Sequence, residues 1–170
     1  MKELQSIYSR TSVKRYSYRP FDNHVIESIT KAGLSAPSAM NLRPYTIYVV
    51  KNKDILEKIA ALSPSKAMLK DASVAMLVVG DFSINPDNNY LQQDCSAVTE
   101  NILLAAHQLG LGACWLGVNP SKPDFYNALA NIINIDEHKL IVSLIAIGYP
   151  DGEFLPKPDR YTKNQIITIE

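Results

Sequence analysis

Three cations, Arg10, Lys14 and Arg15, lie beside two hydroxyl residues, Thr11 and Ser12, in the segment YSRTSVKRY near the start of the sequence. A phosphate group is bound by this combination, because its oxygens need both positive charge and several hydrogen-bond donors at fixed geometry. The segment therefore predicts a phosphate site. A solvated, basic junction between a helix and a loop has the same composition, so the motif alone leaves both interpretations open.

Two later segments could contact the same ligand. In GLGACWLG, the glycines allow the backbone to approach a flat molecule closely, and the amides of Leu116 and Gly117 could donate to it. An ordinary helix-to-strand turn with Trp115 in the core is the alternative. The segment KPDRY carries the cations Lys157 and Arg160, which would also suit a disordered basic tail.

An unusually elaborate connection, SAPSAMNLRPY at residues 35–45, joins a helical pattern to a strand-like run. It contains two serines, two prolines, an asparagine and an arginine, where a tight turn would suffice. Rigid scaffolds commonly carry their functional groups on such loops. The loop is therefore a candidate binding element.

Composition and charge exclude several classes of protein. The chain has 170 residues, 46% of them hydrophobic, and 17 basic residues balance 17 acidic ones. This favours one globular domain that is held neither on nucleic acid nor on a membrane surface by net charge. The first 18 residues contain no apolar signal segment, and the two cysteines and three histidines lack disulfide or metal-site spacing. We therefore expect a cytoplasmic protein without a metal.

Helical and strand patterns alternate along the sequence. The periodicity predicts helices over residues 4–9, 23–34, 54–62, 94–109 and 124–133, and a turn of helix at 64–70. It predicts strands over residues 45–51, 74–80, 113–117 and 140–149. Either an α+β or an α/β fold accommodates this order.

The last part of the chain has no obvious place in that fold. Residues 151–160 are proline-rich and extended, and residues 165–170 form a further strand-like run ending in IITIE. An apolar strand is a liability unless it pairs with a sheet edge. A partner subunit is the expected source of that edge.

The order of these segments resembles that of the nitroreductase family, which comprises FMN-dependent NAD(P)H oxidoreductases, over nearly the whole chain. Residues 10–15 resemble the family's R-x-S-x-[KR] phosphate motif, and residues 36–45 resemble its APSxxNxQPW loop. GLGACWLG is similar to the family's GLGxxWxG, and residues 157–160 are similar to its C-terminal basic pair. Arg43 stands where the family usually has Gln, and Tyr45 where it usually has Trp.

The resemblance implies an α+β fold of the nitroreductase type, with a central, mainly antiparallel sheet flanked by helices in a single domain covering residues 1–170. It also implies a homodimer with two shared FMN sites, in which residues 151–170 form an extended arm whose terminal strand is exchanged with the partner. Residues 37–39 would reach the flavin of the neighbouring subunit. The implied FMN-binding residues are Arg10, Thr11, Ser12, Lys14, Pro37, Ser38, Ala39, Met40, Asn41, Arg43, Leu116, Gly117, Lys157 and Arg160.

The resemblance further implies ping-pong chemistry, in which NAD(P)H reduces the flavin and the flavin then reduces an electron-poor small molecule such as a nitroaromatic or a quinone. A backbone amide of Leu116 or Gly117 would meet the flavin N5 atom, so no side chain is expected to be catalytic. Two alternatives remain open at this point: a flavin-binding or storage module without turnover, and a specialised branch that reduces one metabolite.

Overall fold

Five strands form one sheet in the computed structural model, which describes residues 4–84, 89–152 and 165–169. The strands are β1 (Tyr16–Ser17), β2 (Tyr45–Val50), β3 (Val74–Asp81), β4 (Gly112–Leu116) and β5 (Lys139–Pro150). The long strand β5 pairs with β3 along one edge and with β4 along the other, and its C-terminal end also pairs with β1. Strand β2 pairs with β3, and all of these pairs are antiparallel.

Helices cover both faces of the sheet. They are α1 (Gln5–Ser9), α2 (Asn23–Leu34), α3 (Lys53–Ala61), α4 (Leu91–Gln108) and α5 (Pro123–Ile133), with 3-10 turns at Ala39–Asn41 and Pro64–Lys70. One apolar cluster joins α2 and α4 to the sheet, and a second joins α3, α5 and the turn at Pro64–Lys70 to the opposite face. The predicted fold, a mainly antiparallel sheet flanked by helices, is confirmed.

Local signals explain most of the helix ends. The side chain of Asn52 accepts hydrogen bonds from the amides of Asp54 and Ile55 and so begins α3. Helix α4 ends at Gln108, and Gly110 closes it, because its φ of 73° allows the Leu111 amide to donate to the Ala106 carbonyl. Asp22 occupies the N-cap position of α2, but its side chain makes no capping hydrogen bond.

Helix α4 differs from its prediction in length and in burial. It begins at Leu91, three residues before the predicted start at 94. The segment 102–106 is apolar on every side, which is typical of a fully buried helix, but Leu104 and Ala105 are only half-buried in the single chain. The helix therefore buries one face on the sheet and leaves a partly apolar face beside it.

The short strand β1 was not predicted, because two residues carry no recognisable alternation. The predicted terminal strand forms no strand in the single chain: Ile166, Ile167 and Ile169 are 55%, 86% and 92% exposed. Residues 153–164 of the predicted arm lie outside the described residues. Among the described helices, none has both the length and the hydropathy required to cross a bilayer.

Candidate functional site

The N-terminal motif lies directly against the strand of the glycine-rich motif. Ser12 forms a parallel bridge with Ala113 of β4, and the Val13 amide donates to the Ala113 carbonyl at 3.0 Å. A Cβ atom on Gly112 would lie only 2.7 Å from the Val13 side chain, so glycine is what permits this close approach. Two segments that are a hundred residues apart in sequence thus form one edge of the sheet.

Several cations lie close enough to this edge to affect the pKa of Cys114 on β4. Burial raises the pKa of the Cys114 thiol. The positive charges of Lys14, Lys66 and Arg10 act to lower that pKa, and so does a hydrogen bond with Ser12. Cys114 is 4% exposed, and no acidic group contributes to its pKa shift. The local potential at the β4 edge is therefore positive and suits an anionic ligand.

Lys66 is a further candidate site residue, which the sequence reasoning missed. It lies on the 3-10 turn at Pro64–Lys70 and is only 7% exposed, with its Nζ atom 5.2 Å from the centroid of the Phe125 ring. Burial, together with the nearby Lys122, lowers its pKa. Within the described residues it has no carboxylate partner. Its burial could have been inferred from the sequence, because Lys66 and Leu69 are three residues apart and a 3-10 turn places such residues on the same face.

Arg10 is oriented by an acid from α4. Its Nε atom lies 3.3 Å from Oε1 of Glu100, and the Arg10 side chain is only 17% exposed. A guanidinium has five N–H donors, more than one carboxylate can use. Arg10 can therefore be held by Glu100 and still donate to a ligand.

The elaborate loop is rigid and strained. Met40, Asn41 and Arg43 have φ values of 51°, 54° and 50°, in the left-handed region that residues with side chains rarely adopt. Inside the loop, the Arg43 amide donates to Ser38 Oγ at 2.9 Å, and Arg43 Nε donates to Asn41 Oδ1 at 3.0 Å. Outside it, the Ala39 amide donates to Oδ1 of Asp94 at 2.9 Å, which ties the loop to α4.

The end of β4 offers open space. Gly117 is exposed, and a Cβ atom built there would meet nothing within 4 Å. Trp115 is 39% exposed, so the alternative that places it in the core is wrong. Its side chain lines a cavity of about 320 Å³ whose lining contains no ionisable group.

The predicted site residues fall into two groups. Residues 10–14 meet β4, whereas the loop at 37–43 bonds within itself and to α4. Among the described residues, no hydrogen bond joins these two groups. The predicted ligands Lys157 and Arg160 lie outside the described residues.

Comparisons with known proteins identify relatives over most of the chain. The sequence model of the Nitroreductase family matches residues 7–72 and 64–149. A protein of Methanothermobacter thermautotrophicus, provisionally named an NADH dehydrogenase/NAD(P)H nitroreductase, is 41% identical over 150 residues, which are 88% of this chain and 78% of that protein.

Two solved structures are similar throughout. A protein from Parabacteroides distasonis, with the same provisional name, has a TM-score of 0.90 and 34% identity, covering 97% of this chain and 96% of the other. A provisionally named nitroreductase from Desulfovibrio desulfuricans, solved in complex with FMN, has a TM-score of 0.80 and 28% identity, covering 98% and 95% of the two chains.

Proposed function

Because the chain belongs to the nitroreductase family, we propose that it binds its flavin along the edge of β4, with the phosphate held by residues 10–14. The protein is an FMN-dependent NAD(P)H oxidoreductase. The ligand of the β4 edge is therefore FMN, whose phosphate is anionic and whose pyrimidine ring presents carbonyl oxygens at one edge.

The observation that carries this assignment is the group of cations at the β4 edge, of which Lys14 and Lys66 have no acidic partner among the described residues. Lys14 and Lys66 both act on Cys114, and Lys66 is almost completely buried. Burial of most of the Lys66 side chain makes its unpaired charge unfavourable, so a ligand oxygen is the expected counterpart. The open space at Gly117 leaves room for a flat ring. These features fit FMN.

Bound FMN supplies the hydride-transfer chemistry, accepting from NAD(P)H and delivering to an electron-poor acceptor. Arg10, Thr11, Ser12 and Lys14, with Lys157 and Arg160 of the C-terminal arm, would bind and orient the phosphate. Lys66 would supply positive charge to the pyrimidine carbonyl oxygens. The amides of Leu116 and Gly117 would donate to N5, and electrostatic placement of this kind needs no side-chain acid or base.

We further propose that the active form is a homodimer with shared flavin sites. Residues 1–170 would form one domain whose arm, 151–170, reaches the partner, and the exposed isoleucines of 165–169 would pair with its sheet. The loop residues Pro37, Ser38, Ala39, Met40, Asn41 and Arg43 would contact the flavin of the neighbouring subunit. The attachment of this loop to α4, rather than to the β4 edge of its own chain, supports that arrangement.

A cytoplasmic location is part of the same proposal. Cys95 and Cys114 are both buried free thiols, and a reducing compartment preserves such thiols while supplying NAD(P)H.

The test is to purify the protein, record its visible spectrum, and follow NADH and NADPH oxidation with menadione and with nitrofurazone as acceptors. Flavin absorbance with parallel double-reciprocal plots is expected. Flavin absorbance without turnover would instead favour a storage module. Light scattering on the full chain and on a form lacking residues 165–170 tests the dimer, since the truncated form is expected to lose both its partner and its FMN.

A further inference from the structure

We propose that Asp94 is a positioning residue for the FMN-contacting loop at 37–43, and that it fixes the left-handed conformation of that loop before flavin binds. The inference rests on the proposed function for the identity of the ligand. The placement of the loop by Asp94 follows from the contacts of the chain itself.

Asp94 lies in the first turn of α4 and is 6% exposed. Its Oδ1 atom accepts a hydrogen bond from the Ala39 amide at 2.9 Å, across a sequence separation of 55 residues. The N-terminal turn of a helix favours a negative charge, so α4 stabilises the carboxylate at the point where it meets the loop. The loop is thereby joined to the longest helix of the fold.

The loop needs such an external contact because its conformation is unfavourable. Left-handed φ values at three residues with side chains, Met40, Asn41 and Arg43, must be maintained by surrounding interactions. The bond from the Arg43 amide to Ser38 closes the loop on itself but does not place it on the scaffold. Within the described segment 38–43, the Arg43 carbonyl accepts from the Tyr45 amide at the start of β2, only two residues further along the chain. The Ala39–Asp94 bond is the one that joins the segment to an element distant in sequence.

The second carboxylate oxygen of Asp94 makes its burial unfavourable. Oδ2 is buried and has no hydrogen-bond partner among the described residues. Burying a carboxylate with one oxygen unpaired carries a desolvation penalty that an apolar residue would not have. In the flavin-free chain, the Ala39 bond therefore positions the loop through a side chain whose burial is itself unfavourable.

The experiment removes each end of the bond in turn. Asp94→Leu removes the acceptor. Ala39→Pro removes the donor while remaining compatible with the fold, since Ala39 is the first residue of a 3-10 turn and Ser38 before it is extended. Thr99→Val is the matched control: Thr99 is fully buried on α4 and its hydroxyl lies 2.8 Å from that of Ser143, away from the loop.

Two readouts separate positioning from a general structural role. Amide hydrogen exchange at 40–43 in flavin-free protein is expected to accelerate at least about tenfold in Asp94→Leu and Ala39→Pro, and to remain unchanged in Thr99→Val. The FMN dissociation rate of the holoenzyme is expected to rise by a similar factor in the first two variants only, and the visible circular dichroism of the bound flavin should change with it.

The double variant Asp94→Leu, Ala39→Pro is expected to be no worse than either single one, because both remove the same bond. Wild-type loop exchange in Ala39→Pro, or equal effects in Thr99→Val, would overturn the proposal, and Ala39→Pro keeps this test available if Asp94→Leu fails to fold. If the wild-type protein binds no FMN, the proposed function fails, while the exchange measurement still decides the role of Asp94.

Discussion

Replacing Lys66 by methionine is expected to weaken FMN binding while stabilising the flavin-free protein. Methionine has a similar length and no charge, so it fills the same space beside Phe125. Loss of a hydrogen bond from a charged group is worth about 1.5 to 3 kcal/mol, which corresponds to a rise in Kd of about 10- to 150-fold.

The opposite effect on stability follows from burial. Lys66 is 7% exposed and has no acidic partner among the described residues, so removing its charge eliminates a desolvation penalty. Replacement of buried charges by apolar groups often stabilises by about 1 to 4 kcal/mol, and the low end is expected because the ammonium retains some contact with water. The critical result is that the free energy of unfolding rises in Lys66→Met, rather than how much it rises.

The pH dependence provides a second check. Because burial lowers the pKa of Lys66 in the folded state, the unfolded chain binds more protons at alkaline pH, and the stability of the flavin-free protein should rise as pH increases through that lowered pKa. This rise should be smaller in Lys66→Met.

Urea denaturation of the flavin-free protein at neutral and alkaline pH measures stability, and quenching of FMN fluorescence measures affinity. Lys70→Met is the matched control, since Lys70 belongs to the same 3-10 turn but is exposed. A destabilised Lys66→Met that retains wild-type affinity for FMN would refute the reasoning and make Lys66 a structural residue.

Three further outcomes are expected. Arg10→Ala should weaken FMN binding by about 1.5 to 3 kcal/mol in fluorescence titration, with Glu100→Gln giving a smaller loss; unchanged affinity in Arg10→Ala would remove Arg10 from the phosphate site. Gly117→Pro should slow flavin reduction by NAD(P)H in stopped-flow absorbance, because it removes the N–H donor and adds bulk, and Gly117→Ala is the control that keeps the donor. Burial, and to a lesser extent the charge of Arg10, lowers the pKa of His107 from its usual 6.5. The unfolded chain therefore binds a proton more readily, and the free energy of unfolding should decline as the pH falls below 6.5. Urea denaturation at pH 7.5 and 5 should show a smaller decline in His107→Gln.

The sequence was sufficient for the elements whose information is local. Helix α2 was predicted with its observed bounds, and β2, β3 and β5 lie within one residue of their predicted ends, because periodicity records which face of an element is buried. The closure of α4 by Gly110 was also local, since only a residue free to adopt positive φ closes a helix in that way. The order of the four family-like motifs, at residues 10–15, 36–45, 110–117 and 157–160, was also readable from the sequence.

Tertiary structure alone decided what those segments meet. The contact between Ser12 and Ala113 depends on the pairing of distant segments, which no short window of sequence contains. Lys66 and Asp94 look like ordinary surface charges in the sequence. Only the packing of other elements around them buries Lys66 without an acidic partner among the described residues and bonds Asp94 to Ala39. A charge acquires its role from the groups that surround it after folding, because burial and proximity, rather than residue type, determine its electrostatic energy.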